Sequence, residues 1–372
     1  MSTLPTSDYT YMSLALRLAA QGLYTTQPNP RVGCVIVRDN QIVGQGAHLK
    51  AGEPHAEVFA LRQAGALTEG ADVYVTLEPC SHFGKTPPCV QAVLAAKPKR
   101  VIIAMQDPNP LVAGRGVAAL RAQGIEVVVG LLEQEAVALN AGFVARMTRG
   151  LPYVRSKIAA SLDGRTALSN GKSQWITGAA ARQDVQHWRA QSCVILTGIG
   201  TVLADDPSMT VRLNPTMRQP MRVVVDSRLQ IPQDSKILEP SMLAHSPVLV
   251  AYAVDAEQRA EALAAKGVEL IAIPNQTQQV DLQQLLQVLA QRGVNDVLVE
   301  AGQGLNGALL HAGLIDEFIF YYAPKLMGSA AHGMFAMPEF TAMKQVLDLQ
   351  ILDVRQVGND IRVRAKPVVH TI

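Results

Sequence analysis

Along the first 150 residues the spacing of apolar positions switches repeatedly between helical and extended periods. Residues 11–21 carry apolar side chains at helical spacing, and Gly22 suits a C-terminal stop. After the Pro-containing turn 27–30, the β-branched run 32–37 predicts a strand, and a turn at Asp39-Asn40 leads to a partner strand over 42–46. The pattern then predicts helix over 55–64, strand over 72–76, helix over 89–96, strand over 100–104, helix over 116–123 and strand over 126–130. A hairpin followed by alternating strands and helices predicts a mixed sheet covered on both faces. One helix is expected over 133–149. Gly150-Leu151-Pro152 breaks it, which divides the chain into domains 1–150 and 151–372.

The second half repeats the alternation. Strands are expected over 153–159, 193–197, 222–225, 248–253, 269–273 and 296–300, with helices between them, including 182–191. The end, 317–323 and 350–365, reads as strands with few helices and suits an antiparallel edge. The Gln-rich stretch 276–287 reads as a loop and a surface helix. The fold class is therefore α/β in both halves.

Composition narrows the function. Hydrophobic residues make up 48% of the 372, enough for two buried cores, and exclude disorder as a description of the chain. Lys and Arg number 33 against 31 Asp and Glu, and no block of like charge occurs, which argues against a nucleic-acid binder. The N-terminal segment has no signal-peptide pattern, and no apolar run is long enough to span a bilayer. A soluble, cytoplasmic protein is expected, with its four cysteines kept as thiols.

The most specific chemistry lies in His55-Ala56-Glu57, Pro79-Cys80 and Cys89. One imidazole and two thiolates suit Zn²⁺, and three protein ligands leave a fourth position for water whose pKa falls toward neutrality. Glu57, two residues after the ligand, is placed to shuttle protons, as in the H-x-E…P-C pattern of zinc deaminases. Eight residues separate the thiols where most such deaminases have two, which points to a subfamily. A closed structural site with His82 as fourth ligand is the alternative, but it leaves Glu57 without a role. Cys34 and Cys193 read as buried apolar residues. Asn29, His48, Lys85, Asp107 and Asn109 lie in surrounding loops, where ligand contact and plain turn chemistry are both open.

A second constellation is glycine-rich: residues 300–307 follow a strand and open a helix expected over 308–311. Such a turn can cradle a phosphate at a helix N-terminus, or can simply join strand to helix. Lys157, the turn Ser161-Leu162-Asp163-Gly164, the polar loop around Trp175, and the segment 197–212 weigh toward the cradle. Lys157, Arg189 and Arg212 could bind a phosphorylated substrate.

Taken together, NPRVG (29–33), HAE (55–57), LEPCSHFGKTPPC (77–89), DPNP (107–110), KIAASLDGRTA (157–167), SQWIT (173–177), TGIGTVLADDP (197–207) and VEAGQGLNG (299–307) resemble the bifunctional deaminase–reductases of bacterial riboflavin biosynthesis. The resemblance implies a cytidine-deaminase-like α/β/α domain followed by a dihydrofolate-reductase-like domain. The first would hydrolyse the 2-amino group of 2,5-diamino-6-(5-phosphoribosylamino)pyrimidin-4(3H)-one, and the second would use NADPH to reduce the ribosyl group to ribityl. It implies zinc on His55, Cys80 and Cys89, Glu57 as proton donor, and Asn29, His48, Lys85, Asp107 and Asn109 on the first substrate. It implies NADP contacts from Ala159, Trp175, Thr201, Asp205, Ser227, Gly302, Gln303, Gly304, Leu305, Asn306, Gly307 and Ala308. Lys157, Ser173, Thr177, Arg189, Met209, Arg212 and Glu300 would contact the second substrate, with Lys157 or Asp205 assisting proton transfer. A homo-oligomer is also implied. The rival readings are a deaminase acting on nucleic acid and a zinc-stabilised nucleotide sensor without turnover.

Overall fold

The structure is a computed structural model that describes residues 4–81, 88–110, 112–215 and 218–368. The chain forms two compact units, Met1–Gly150 and Leu151–Ile372.

The first unit opens with α1 (Thr6–Ala20), a hairpin of β1 (Gly33–Arg38) and β2 (Gln41–Ala47), α2 (Ala56–Ala64) and β3 (Asp72–Leu77). It continues through α3 (Cys89–Ala95), β4 (Arg100–Met105), α4 (Arg115–Ala122) and β5 (Glu126–Val129) to α5 (Glu133–Leu139) and α6 (Ala141–Arg149). The sheet order is β2-β1-β3-β4-β5, antiparallel around β1 and parallel from β3 to β5. Asp39 and Asn40 both take positive φ, as a two-residue hairpin turn with the twist of its strands requires. A Cβ on Gly33 would meet the α1 backbone, and one on Gly46 would lie 2.2 Å from the Ala56 carbonyl. Gly46 pairs with Cys34, the neighbour of Gly33, so these glycines face opposite sides and seat α1 and α2 on opposite faces. That makes three layers, and it sets the N-terminus of α2 tightly against β2.

Two expectations need correction here. Helix α1 begins at Thr6 rather than residue 11, because its polar first turn is buried through Asp8, which accepts from the Tyr74 hydroxyl at 2.6 Å and pairs with Arg100. The single helix expected over 133–149 is two. Asn140 leaves helical geometry between them, its carboxamide accepting from the Arg31 amide and donating to the Arg31 carbonyl.

The second unit carries β6 (Tyr153–Ser161), β7 (Arg165–Ala167), α7 (Ala179–Gln191), β8 (Val194–Gly198), α8 (Ile199–Asp205), β9 (Met221–Val225), α9 (Pro240–Leu243), β10 (Val248–Tyr252), α10 (Ala260–Ala264) and β11 (Glu269–Ala272). It ends with α11 (Leu282–Gln291), β12 (Asp296–Val299), α12 (Gln303–His311), β13 (Glu317–Ala323), β14 (His332–Gly333), β15 (Leu349–Val357) and β16 (Asp360–Pro367). Nine strands form one sheet in the order β11-β10-β9-β8-β12-β6-β13-β16-β15. It is parallel from β11 to β13, and the hairpin β15–β16 supplies the antiparallel edge. Strands buried on both faces read as unbroken apolar runs, as Val223-Val224 and Leu249-Val250-Ala251 do. The chain steps outward from β8 to β11, then returns to insert β12 between β8 and β6. Ligands of open α/β sheets bind at the carboxyl ends of strands beside such a reversal.

The helix expected over 308–311 starts five residues earlier, at Gln303. Gly304 and Gly307 are therefore inside α12, and only Gly302 stands before it as the N-cap. Gly307 is required for packing: a Cβ there would lie 2.1 Å from the Ala336 carbonyl oxygen.

Candidate active sites

In the first unit the carboxyl end of β3 and the N-termini of α2 and α3 converge. His55 is the N-cap of α2 in extended geometry, Cys89 is the first residue of α3, and Cys80 follows β3. His55 Nδ1 lies 3.2 Å from Cys89 Sγ and 3.7 Å from Cys80 Sγ, and the three donor atoms fall within 4.8 Å of one another. Zinc–sulfur and zinc–nitrogen bonds of about 2.3 and 2.0 Å at tetrahedral angles space such donors about 3.6 Å apart. The donor set therefore fits a tetrahedral zinc ion as it stands.

Electrostatics agree. Cys80 accepts from the Cys89 thiol, the His55 imidazole and the Cys89 backbone N–H, which lower its pKa well below the ordinary thiol range. Glu57 is in the first turn of α2 and buried, and its Oε2 has no hydrogen-bond partner. Burial raises its pKa. An orphaned buried carboxylate oxygen beside three converging ligands marks a place for a further polar atom.

The Pro54 carbonyl 3.1 Å from His48 Nδ1 must accept, so that nitrogen carries the proton. Nε2 is then an acceptor and takes the Asn29 amide N–H at 3.1 Å. Burial lowers the His48 pKa, which keeps the ring neutral. The Asn29 amide is oriented by this chain of contacts. Asp107 and Asn109 share the turn after β4, where Asp107 Oδ1 accepts from the Asn109 N–H. Glu78, which sequence reasoning passed over, fixes that turn: its buried carboxylate accepts from the backbone N–H of Asp107, Gly114 and Val117. Its only sequence signal is an acid ending an apolar strand two residues before Cys80. Lys85 and His82 lie outside the described residues.

In the second unit a cleft of about 1530 Å³ opens at the carboxyl ends of β9, β8, β12 and β6. Every second-unit residue named above as a contact lines it except Asn306 and Gly307. Those two sit on the far side of α12. The buried Asn306 accepts from the Ser156 hydroxyl and donates to the Ala301 carbonyl, while Gly307 packs on Ala336.

The polar centre of the cleft is Glu300. Its Oε1 lies 2.5 Å from Arg189 Nε, and its Oε2 is 3.0 Å from Arg189 Nη2 and 3.4 Å from Lys157 Nζ. Burial alone would raise this carboxyl, but the Arg189 and Lys157 charges outweigh it and hold the pKa at about 2. Arg189 also donates to the Thr210 carbonyl, which anchors the segment carrying Met209 and Arg212. Asp205, at the end of α8, accepts from the Ser173 hydroxyl and the Gln174 amide. Trp175 is 64% exposed; Arg182 lies 4.7 Å from its ring centroid and donates to the Thr177 carbonyl, and Lys325 donates to the Trp175 carbonyl. Neither Arg182 nor Lys325 was legible, since isolated cations distant in sequence give no pattern.

Residues 5–105 match a family model described as the cytidine and deoxycytidylate deaminase zinc-binding region, and residues 152–363 match the RibD C-terminal domain. The riboflavin biosynthesis protein RibD of Escherichia coli is 48% identical over 366 residues, which cover 95% of this chain and 98% of that protein. Its Bacillus amyloliquefaciens counterpart is 46% identical over 358 residues, 96% of this chain and 95% of that one. Among solved structures, Acinetobacter baumannii RibD superposes with a TM-score of 0.90 at 50% identity, covering 98% of this chain and 99% of that one. A Thermotoga maritima diaminohydroxyphosphoribosylaminopyrimidine deaminase/5-amino-6-(5-phosphoribosylamino)uracil reductase gives 0.86 at 32% identity, with coverage of 97% and 99%. The chain belongs to the RibD family, enzymes of riboflavin biosynthesis that join a zinc-dependent pyrimidine deaminase to an NADPH-dependent reductase.

Proposed function

We propose that residues 1–150 carry out the deamination and residues 151–372 the reduction, each with its own set of side chains. His55, Cys80 and Cys89 hold the zinc ion, which when bound lowers the pKa of a water and so supplies the attacking nucleophile. The observation that carries this assignment is the unpartnered Glu57 Oε2 beside the three converging donors. Glu57 takes the proton of the nucleophile and returns it to the departing amino group, a role that needs one carboxylate oxygen free, as Oε2 is. Asn29, oriented by the neutral His48, offers its carbonyl oxygen to an N–H on the pyrimidine edge. Asp107 and Asn109 meet the substrate from the turn that Glu78 secures, and Lys85 neutralises its phosphate.

In the cleft of the second unit two ligands are held together, which its volume supports: pockets for one small molecule run to about 1000 Å³. NADPH supplies the reducing equivalents. Gly302, Gln303 and Gly304, at the N-terminus of α12 where free backbone N–H groups favour an anion, would hold its phosphates. Ala159, Trp175, Thr201, Asp205, Ser227, Leu305 and Ala308 complete the cofactor wall, while Asn306 acts indirectly by holding the Ala301 carbonyl. Ser173, Thr177, Arg189, Met209, Arg212 and Glu300 bind the phosphorylated substrate. Lys157, an ammonium held against Glu300, delivers the proton that the reduction consumes, and Asp205 orients Ser173. The working form is a cytoplasmic homo-oligomer acting on small molecules, in keeping with four free thiols. Ammonia release and NADPH oxidation, followed separately, test the division: Glu57→Gln removes the first and leaves the second on a supplied deaminated substrate. Loss of both in a folded variant contradicts it.

A further inference from the structure

Arg222, the second residue of β9, is fully buried. It stands in register with Ile195 of β8 and Val248 of β10, and its side chain enters an apolar layer that includes Val224, Met209 and Ile237. Among the described residues no carboxylate pairs with it, and burial alone pulls its pKa down. A cation buried without an acid is costly, and an apolar side chain of similar volume would suit such a layer better. What the guanidinium donates to must therefore account for it. Nη1 donates to the Ser208 carbonyl at 3.2 Å and to the Ile237 carbonyl at 2.7 Å, and Nη2 donates to the Ser246 carbonyl. Nε has no partner, so the contacts all come from the outer fork and reach three segments that lie apart in sequence.

The first of these segments is part of the cleft wall. Residues 206–213 belong to no helix or strand, and side chains from elsewhere hold them almost residue by residue. Arg222 holds the Ser208 carbonyl, Arg189 of α7 the Thr210 carbonyl, Gln219 both the N–H and the carbonyl of Val211, and Gln186 of α7 the Arg212 N–H. Met209, at φ 53° and 3% exposed, packs into the same apolar layer as Arg222. Arg212 lines the cleft at the far end of this strap, and its guanidinium has no protein partner among the described residues. Arg222 thus ties the strap directly to the sheet. Through Ile237 it also joins the strap to the turn carrying Lys236, whose N–H donates to Asp206 Oδ1 at 2.8 Å. Because no acid neutralises it, its charge adds a positive field behind a wall that meets an anion.

We propose that Arg222 is a positioning residue for the reduction: by fixing Ser208 it sets the strap that presents Met209 and Arg212 to the phosphorylated substrate. This rests on the reading above that Arg212 meets that substrate. The test measures kcat and KM for the deaminated phosphorylated pyrimidine, KM for NADPH, and ammonia release, in the wild type, Arg222→Met, Arg222→Lys and Arg212→Ala. Met is long and flexible enough to fill the apolar layer, while Lys keeps the charge but not the planar fork. Arg222→Met should raise KM for the pyrimidine about ten-fold or more, since small misplacements of a binding group are costly, and Arg222→Lys should recover part of that loss. KM for NADPH and ammonia release should stay within about two-fold of wild type. A parallel rise in both KM values, or a fall in kcat with KM unchanged, marks a merely structural residue and overturns the proposal. Should Arg222→Met not fold, Arg222→Lys decides alone: a pyrimidine KM unchanged there, or raised in step with that for NADPH, also overturns it. If Arg212→Ala raises the pyrimidine KM while neither Arg222 variant does, only the positioning role is wrong. If Arg212→Ala leaves it unchanged, the strap does not meet the substrate, and the reading above falls together with the proposal.

Discussion

Replacing Glu300 with Gln removes the carboxylate that, among the described residues, pairs with the half-buried Lys157 and Arg189. The folded carboxyl titrates at about 2 against an ordinary 4.5, a difference of some 2.5 pH units. At 1.36 kcal/mol per unit this corresponds to about 3 kcal/mol of stability, the order expected when a buried ion pair is broken from one side. Because the folded pKa is depressed, the contribution is fully present above pH 4.5 and is lost as pH falls toward 2. The assay is urea unfolding followed by tryptophan fluorescence. Both tryptophans, Trp175 and Trp188, are in Leu151–Ile372, so the signal reports on the unit that carries the substitution. The wild type should exceed Glu300→Gln by about 3 kcal/mol at pH 7, with an unchanged m-value, and the gap should narrow steadily below pH 4.5. A gap under about 0.5 kcal/mol at pH 7, or one that does not change with pH, refutes the argument, since surface substitutions alone produce effects of that size.

Glu57→Gln should lower the deamination rate by at least about a hundred-fold, the usual contribution of a positioned proton carrier, with NADPH oxidation unaffected. Deamination within a few-fold of wild type would remove Glu57 from its role. Gly307→Ala forces a methyl group against the Ala336 carbonyl and should destabilise the second unit by about 1–3 kcal/mol in the same fluorescence assay; no shift in midpoint would mean that the 331–337 segment yields freely. Asn140→Ala removes two hydrogen bonds that join the α5–α6 break to Arg31, and an unchanged thermal midpoint for the first unit would show that they carry no stability.

What could be read from sequence followed from how local the information was. The cluster of His55, Cys80 and Cys89 was legible because an imidazole, a spare carboxylate and two thiols in that order along the chain have few other uses. The parallel strands were legible because burial on both faces leaves unbroken apolar runs. Glu78 was not, since its partners are backbone groups 29 to 39 residues away that only the fold assembles. The break at Asn140 was hidden for the same reason: its cause is a contact with Arg31, more than a hundred residues upstream. The glycine-rich segment misled in a different way. Read as a loop, it offers every residue from Gly302 to Ala308 to a ligand. Folded as the first turns of α12 it presents only one face, and Asn306 and Gly307 turn into the interior. Periodicity could not tell these apart, because glycine permits both.

The central claim is that the first unit works through a zinc ion held by His55, Cys80 and Cys89. Metal analysis of the purified enzyme alongside ammonia release from the diaminopyrimidine substrate tests it directly. The expected result is zinc bound by each wild-type chain, loss of both zinc and ammonia release in Cys89→Ala, and NADPH oxidation intact. Full ammonia release from protein shown to contain no zinc would contradict the account.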